Sequence, residues 1–138
     1  MKNDTLQPLI SIITPSFNSE KTIRTTIESI LKQTYPSIEY IIVDGKSSDK
    51  TVEKAESYRE ALEKRGISYH IVSEPDQGIY DAMNKGIRMA KGELIDIINS
   101  DDWYEENAMQ RVAETYEKNP FDMFYADLRI WQEDMQGN

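Results

Sequence analysis

The chain contains no cysteine, and its single histidine is His70. Disulfides and thiolate metal sites are therefore excluded, and a multi-histidine zinc centre is excluded with them. Any metal has to be held by oxygen ligands, which selects hard divalent cations such as Mg²⁺ or Mn²⁺. Basic charge is scarce too: 16 Lys and Arg stand against 25 Asp and Glu, a net charge of −9. Nonspecific nucleic-acid binding rests on cations meeting phosphates, so no nucleic-acid partner is expected. No apolar run in the sequence approaches the roughly 20 residues needed to cross a bilayer. The start, MKNDTLQP, lacks the basic-then-apolar order of a signal peptide. A cytoplasmic location is expected on these grounds. Neither G-x-G-x-x-G nor the Walker A pattern occurs, which removes two familiar phosphate cradles.

What is present is the composition of an ordinary globular protein, 38% hydrophobic and 30% charged over 138 residues. That length suits one domain, 1–138, with no linker, repeat or low-complexity stretch. Short runs rich in Ile and Val alternate with amphipathic segments. Ile10–Thr14 predicts a buried strand bounded by Pro15, and Asn18 or Ser19 can cap a following helix with Ile23, Ile27, Ile30 and Leu31 on one face. Glu39–Val43 predicts a second strand. Ser48 can cap a helix with Val52, Ala55, Tyr58 and Leu62 inward, ended by Gly66. Ile67–Val72 predicts a third strand, and Gly78–Lys91 a helix turning Ile79, Met83, Ile87 and Ala90 inward. Glu93–Ile98, a helix over about 105–118, and a strand over Phe121–Trp131 complete the order. Such alternation implies an α/β fold with a mainly parallel, doubly wound, Rossmann-like sheet.

In such sheets ligands lie beyond the carboxyl ends of the strands. Those ends carry Thr14-Pro15-Ser16-Phe17-Asn18, Asp44-Gly45-Lys46-Ser47-Ser48-Asp49, Glu74-Pro75-Asp76-Gln77-Gly78 and Asn99-Ser100-Asp101-Asp102. Each piece has a bland reading. Asp49 is a natural helix cap, Asp44-Gly45 and Pro75–Gly78 read as turns, and Asp101-Asp102 suits a helix start. Their convergence on one edge is the informative feature. Paired like charges call for a cation or a shared proton, so Asp101 and Asp102 beside Asn99 point to an oxygen-ligated divalent metal. Such an ion would supply the positive charge that an acidic chain lacks for holding a diphosphate.

At these loops the chain resembles the inverting nucleotide-sugar glycosyltransferases of family-2 type, with a glycosyltransferase A fold. The resemblance runs through SIITPSFNSEKTI, SILKQTYPSIEYIIVDGKSSDKT and GIRMAKGELIDIINSDDWY, while SEPDQGIYDAMNKGI resembles members acting in bacterial polysaccharide or lipopolysaccharide assembly. It implies a metal-assisted transfer, with inversion, from a nucleotide-diphosphate sugar, a UDP-sugar for preference, to a saccharide or lipid-linked acceptor. It also implies that Thr14, Pro15 and Phe17 line the base and ribose pocket and that Asp44 accepts a hydrogen bond from the base. Asp76, Asp81, Asn84 and Lys85 become donor contacts, and Asn99-Ser100-Asp101 stands where the family has Asp-x-Asp. Asp101 matches the metal-holding aspartate, with Mn²⁺ or Mg²⁺ as cofactor. The resemblance puts the general base beyond residue 138, so that the chain alone is expected to bind donor at most. A complete enzyme with a lipid-linked acceptor would work at the inner membrane face.

Some residues depart from the family pattern. Asn99 replaces the first aspartate of the motif, Met83 stands where many relatives carry arginine, and Asp96 places a carboxylate inside a buried strand, where it needs a partner. Trp103 and Tyr104 are candidates to shape a sugar pocket, whereas Glu133-Asp134 reads as a polar turn. Two rival readings are a non-catalytic nucleotide-binding module and a Mg²⁺-dependent phosphoryl-transfer domain. The second would place its key aspartates after the first strand, where Thr14 and Asn18 stand instead.

Overall fold

A computed structural model describes residues 7–118. The elements are β1 (Ile10–Ser16), α1 (Ile23–Leu31), β2 (Ile38–Asp44), α2 (Thr51–Glu56), α3 (Arg59–Lys64), β3 (Ser68–Ser73), α4 (Ile79–Met89), β4 (Leu94–Ile97) and α5 (Ala108–Lys118). The four strands form one parallel sheet in the order β3-β2-β1-β4. The alternation of strand and helix read from the sequence is therefore realised through β4 and α5. The strand expected over Phe121–Trp131 and the pair Glu133-Asp134 lie outside the described residues.

Period-two alternation divides the sheet's two faces. Ile10, Ile12, Tyr40 and Ile42 join Ile23, Ile27, Ile30, Leu62 and Met109 in the larger cluster, so α1, α3 and α5 pack into it. Ile13, Ile41 and Val43 face the other way, against Ala82 and Met89 of α4. Both faces of β1 and β2 are covered, which is why these strands read as near-continuous apolar runs.

Four local expectations are corrected. β1 does not stop at Pro15 but runs through it to Ser16, paired with β2. The ladder to β4 ends at Ile13↔Ile97, so among the described residues Pro15 sits where β1 has one neighbour and needs no second amide bond. Neither Asn18 nor Ser19 caps α1 with its side chain. The Ser19 carbonyl instead takes the amides of Thr22 and Ile23. The helix expected after Ser48 is two short ones, α2 and α3, and the residue whose side chain serves α2 is Asp49, which accepts the Thr51 amide. Finally, α4 turns Ala82 and Gly86 inward, leaving Ile79 and Ile87 exposed. Small residues win that face because the helix lies close to the sheet: a Cβ on Gly86 would stand 2.5 Å from Ile13 Cγ2.

Candidate functional site

β1 has β2 on one side and β4 on the other, so its carboxyl end is the point where the winding of the sheet reverses. A cleft of about 940 Å³ opens there. It is lined by the loop from Pro15 to Thr22, by Gly45 and Asp49, by Asp76, Gly78, Ile79 and Ala82, and by Asn99, Ser100 and Asp101.

The loop after β1 is the knot of this site. Asn18 takes a left-handed backbone (φ 50°), which asparagine tolerates better than most residues. Its side-chain oxygen accepts the Ser48 amide at 2.9 Å, and its own amide donates to Ser47 Oγ at 2.7 Å. Ser19 continues the link: its amide donates to Thr51 Oγ1 at 2.7 Å, and its hydroxyl meets the Ser100 hydroxyl at 2.6 Å. The loops after β1, β2 and β4 are thus held together by short polar side chains.

Asp44 is wholly buried at the end of β2. Four donors fill its carboxylate: Ser16 Oγ and Ser47 Oγ on Oδ1 at 2.8 and 2.6 Å, and the Ser47 amide and Ser73 Oγ on Oδ2 at 2.7 and 2.9 Å. Ser16 and Ser73 are its register partners on β1 and β3. Asp44 does not line the cleft. Asp49 does, while serving α2: burial pushes its carboxyl up, but the hydroxyl and amide of Thr51 and the Glu20 amide pull it below the usual carboxylate range.

Asp76 lines the cleft from the loop after β3, and its Oδ1 accepts the Gly78 amide at 3.0 Å. Its neighbours on α4 are differently occupied. Asp81 reaches back to accept the Gln77 amide at 3.0 Å, a helix-start interaction. Lys85 pairs with Glu74 at 2.9 Å, which pushes its ammonium up, and lies 3.8 Å from Asp81. Asp81, Asn84 and Lys85 do not line the cleft. Thr14 lies beneath it, with its hydroxyl on Tyr40 Oη at 2.8 Å, whereas Pro15 and Phe17 line it and Phe17 is 62% exposed.

The loop after β4 brings Asn99, Ser100 and Asp101 to the cleft. The Asp102 amide closes a turn onto Asn99 O at 3.1 Å, and Thr26 Oγ1 holds Asp102 O at 2.5 Å. Burial, then the neighbouring Asp101, pushes the Asp102 carboxyl up. Asp101 is the exposed member of the pair. The carboxylate on β4 finds its partner here: Tyr104 Oη donates to Asp96 Oδ2 at 2.8 Å, both residues being buried. That corrects the sugar-pocket reading of Tyr104, which is core. Trp103, 43% exposed, lines a separate groove with Thr25 and Lys32.

Among the described residues, no three His, Asp or Glu side chains gather as a ready metal site. Asp101 with the side-chain oxygens of Asn99 and Ser100 is nonetheless a hard oxygen set. Mg²⁺ and Mn²⁺ sites commonly use one or two carboxylates and draw the remaining ligands from water and substrate phosphates, so the donor chemistry fits. Sequence reading missed Ser19, Lys21 and Gly45 as cleft residues. Among the described residues Lys21 is the one cationic side chain on the lining, and no periodicity or motif distinguishes it from other surface lysines.

Residues 11–136 match Glycosyl transferase family 2. The chain belongs to that family. It is 36% identical over 123 residues to the PGL/p-HBAD biosynthesis glycosyltransferase of Mycobacterium bovis, covering 88% of this chain and 47% of the relative. It is 35% identical over 116 residues to the glycosyltransferase EpsJ of Bacillus subtilis, covering 84% of this chain and 33% of that protein. The chain thus spans half or less of the length of these curated relatives. Among solved structures, S. aureus TarS 1-349 in complex with UDP-GlcNAc superposes with a TM-score of 0.71 at 28% identity, over 80% of this chain and 31% of TarS 1-349. The mannosyltransferase PcManGT of Pyrobaculum calidifontis, bound to GDP-Man and Mn²⁺, superposes with a TM-score of 0.69 at 26% identity, over 78% and 33% of the two chains. The family-2 chain accordingly has the glycosyltransferase A fold.

Proposed function

We propose that the cleft at the end of β1 binds a nucleotide-diphosphate sugar, with a UDP-sugar preferred, and that the protein carrying this chain transfers the sugar to a saccharide or lipid-linked acceptor with inversion. The observation that carries this reading is the cleft itself. It brings an exposed phenylalanine, the Asp76 carboxylate and Asn99, Ser100 and Asp101 onto one lining, at the reversal point of the sheet. TarS, of similar fold, holds UDP-GlcNAc. Pro15 and Phe17 would frame the base and ribose, and Asn99 and Ser100 would contact the ribose-diphosphate.

Asp101 would hold a divalent cation, Mn²⁺ or Mg²⁺, shared with the diphosphate. When bound, such an ion acts as a Lewis acid on the departing nucleoside diphosphate. This placement also meets the charge deficit, because among the described residues Lys21 is the only cation on the cleft lining and Lys85 is engaged with Glu74. Asp81, Asn84 and Lys85 would then serve the donor indirectly, by shaping the start of α4 behind Asp76. Acceptor contacts and any association with a membrane face belong to the protein as a whole. No helix among the described residues is long and apolar enough to cross a membrane.

Calorimetric titration with UDP, with and without Mn²⁺, tests the reading. Mn²⁺ is expected to tighten UDP binding to the wild type, and Asp101→Ala is expected to abolish that difference. Equal Mn²⁺ dependence in both proteins would refute the metal assignment, and the absence of UDP binding would refute the donor site.

A further inference from the structure

Two carboxylates stand at the ends of β2 and β3 beside Gly45, and the structure separates them sharply. A carboxylate offers about four acceptor positions. All four of Asp44's are taken, by the hydroxyls of Ser16, Ser47 and Ser73 and the Ser47 amide, and the residue is fully buried. Accepting a further donor would require breaking one of these bonds. Asp76 lies on the cleft wall and, among the described residues, carries one hydrogen bond to a protein donor, from the Gly78 amide to Oδ1.

Gly45 explains how Asp76 reaches that position. A Cβ placed on Gly45 would stand 2.9 Å from Asp76 Oδ2 and 3.0 Å from Oδ1, closer than packed atoms allow. The Asp76 carboxylate therefore occupies the space a side chain at position 45 would fill. Gly45 has no left-handed backbone to explain its identity; its φ is not among the positive ones. Its lack of a side chain is what the packing uses. On the same cleft, Phe17 presents an exposed ring of the kind on which a planar base stacks.

We propose that Asp76, seated in the notch left by Gly45, is the carboxylate that reads the nucleotide base, and that it selects bases carrying a ring N–H. An ionised carboxylate only accepts. Uracil offers N3–H and guanine offers N1–H, whereas cytosine and adenine have unprotonated ring nitrogens at the corresponding edge and would face Asp76 acceptor to acceptor. Asp44 is then the scaffold that fixes the β2 loop, not the group that touches the base. The inference rests on the donor-site reading above and assigns the base-selecting residue within it.

The test is calorimetry with Mn²⁺ present, using UDP, N3-methylated UDP, GDP, CDP, ADP and inorganic pyrophosphate on wild type, Asp76→Ala and Gly45→Ala. Wild type is expected to prefer UDP over its N3-methyl analogue on the order of tenfold or more, the worth of one charge-assisted hydrogen bond. Asp76→Ala should lose that preference and weaken UDP by a similar factor, leaving pyrophosphate binding unchanged. Gly45→Ala, which keeps Asp76 but displaces it, should do the same; circular dichroism confirms that both variants remain folded. Tight UDP binding with no penalty for N3-methylation, or a penalty that survives Asp76→Ala, overturns the inference while the donor site stands. A preference for CDP or ADP overturns it as well. If no nucleoside diphosphate binds, the donor-site reading fails and the inference fails with it.

Discussion

Replacing Tyr104 by phenylalanine removes one oxygen atom and leaves Asp96 without the hydroxyl that reaches it across 2.8 Å of core. Asp96 is 5% exposed and Tyr104 6%, so water does not readily take the place of the lost donor. A hydrogen bond to a charged group contributes about 1.5–3 kcal/mol, and because Asp96 Oδ1 still accepts the Ile97 amide at 3.0 Å, the loss is that of this one bond. The folded-to-unfolded ratio should fall by roughly tenfold to a hundredfold, with a melting temperature lower by about 5–10 °C. Urea denaturation at pH 7 reads the loss directly, as a lower midpoint with an unchanged m-value. Asp96→Asn provides the control, because its amide oxygen still accepts from Tyr104 while the buried charge is gone. Tyr104→Phe in that background should cost less than in the wild type, the difference being the coupling between the two groups. Tyr104 is separated from the Asn99–Asp102 loop by Trp103 alone, so amide exchange in that loop should quicken in the variant. A loss below about 0.5 kcal/mol, or strict additivity in the double variant, would refute the claim that this bond holds a buried carboxylate in β4.

Two other outcomes follow from the packing. Gly86→Ala places a methyl 2.5 Å from Ile13 Cγ2; overpacking of this kind costs about 1–3 kcal/mol, outweighing the roughly 1 kcal/mol an alanine gains over glycine in a helix, and thermal denaturation should show net destabilisation. Asp49, whose hydrogen bonds from Thr51 and Glu20 hold its carboxyl below the usual range, binds its proton less readily folded than unfolded. Its stabilisation is therefore present above the ordinary carboxylate pKa and lost as pH falls through the folded value. The stability gap between wild type and Asp49→Ala should close as the pH is lowered from about 5 to about 2 in denaturant titrations, and a gap that stays constant would contradict it.

The order of elements was legible because β1 and β2 are covered on both faces. Ile10–Ile13, interrupted only by the buried Ser11, and Tyr40–Val43 are near-continuous apolar runs, and covered strands have that composition. The edge that carries the cleft was legible for a related reason, since each run ends in a loop of Asp, Asn and Ser. The face of α4 was not legible. Counting large apolar residues at helical spacing selects Ile79 and Ile87, whereas close approach to the sheet buries the small Ala82 and Gly86, with Met89 packed against the same cluster. Periodicity measures hydrophobicity, and this interface is chosen by size.

That the acidic strand ends share one edge is legible in a single sequence, because a parallel α/β sheet presents those loops together. Which aspartate does what is another matter. Asp44 and Asp76 are alike in sequence, each beside a turn residue, and both were assigned to the donor. Only the tertiary structure surrounds Asp44 with serines from β1, β3 and its own loop, and brings Asp76 against Gly45 from 31 positions along the chain. Such roles depend on how many donors reach an oxygen and how much space a missing Cβ leaves. Those quantities arise between segments, so no segment read alone contains them.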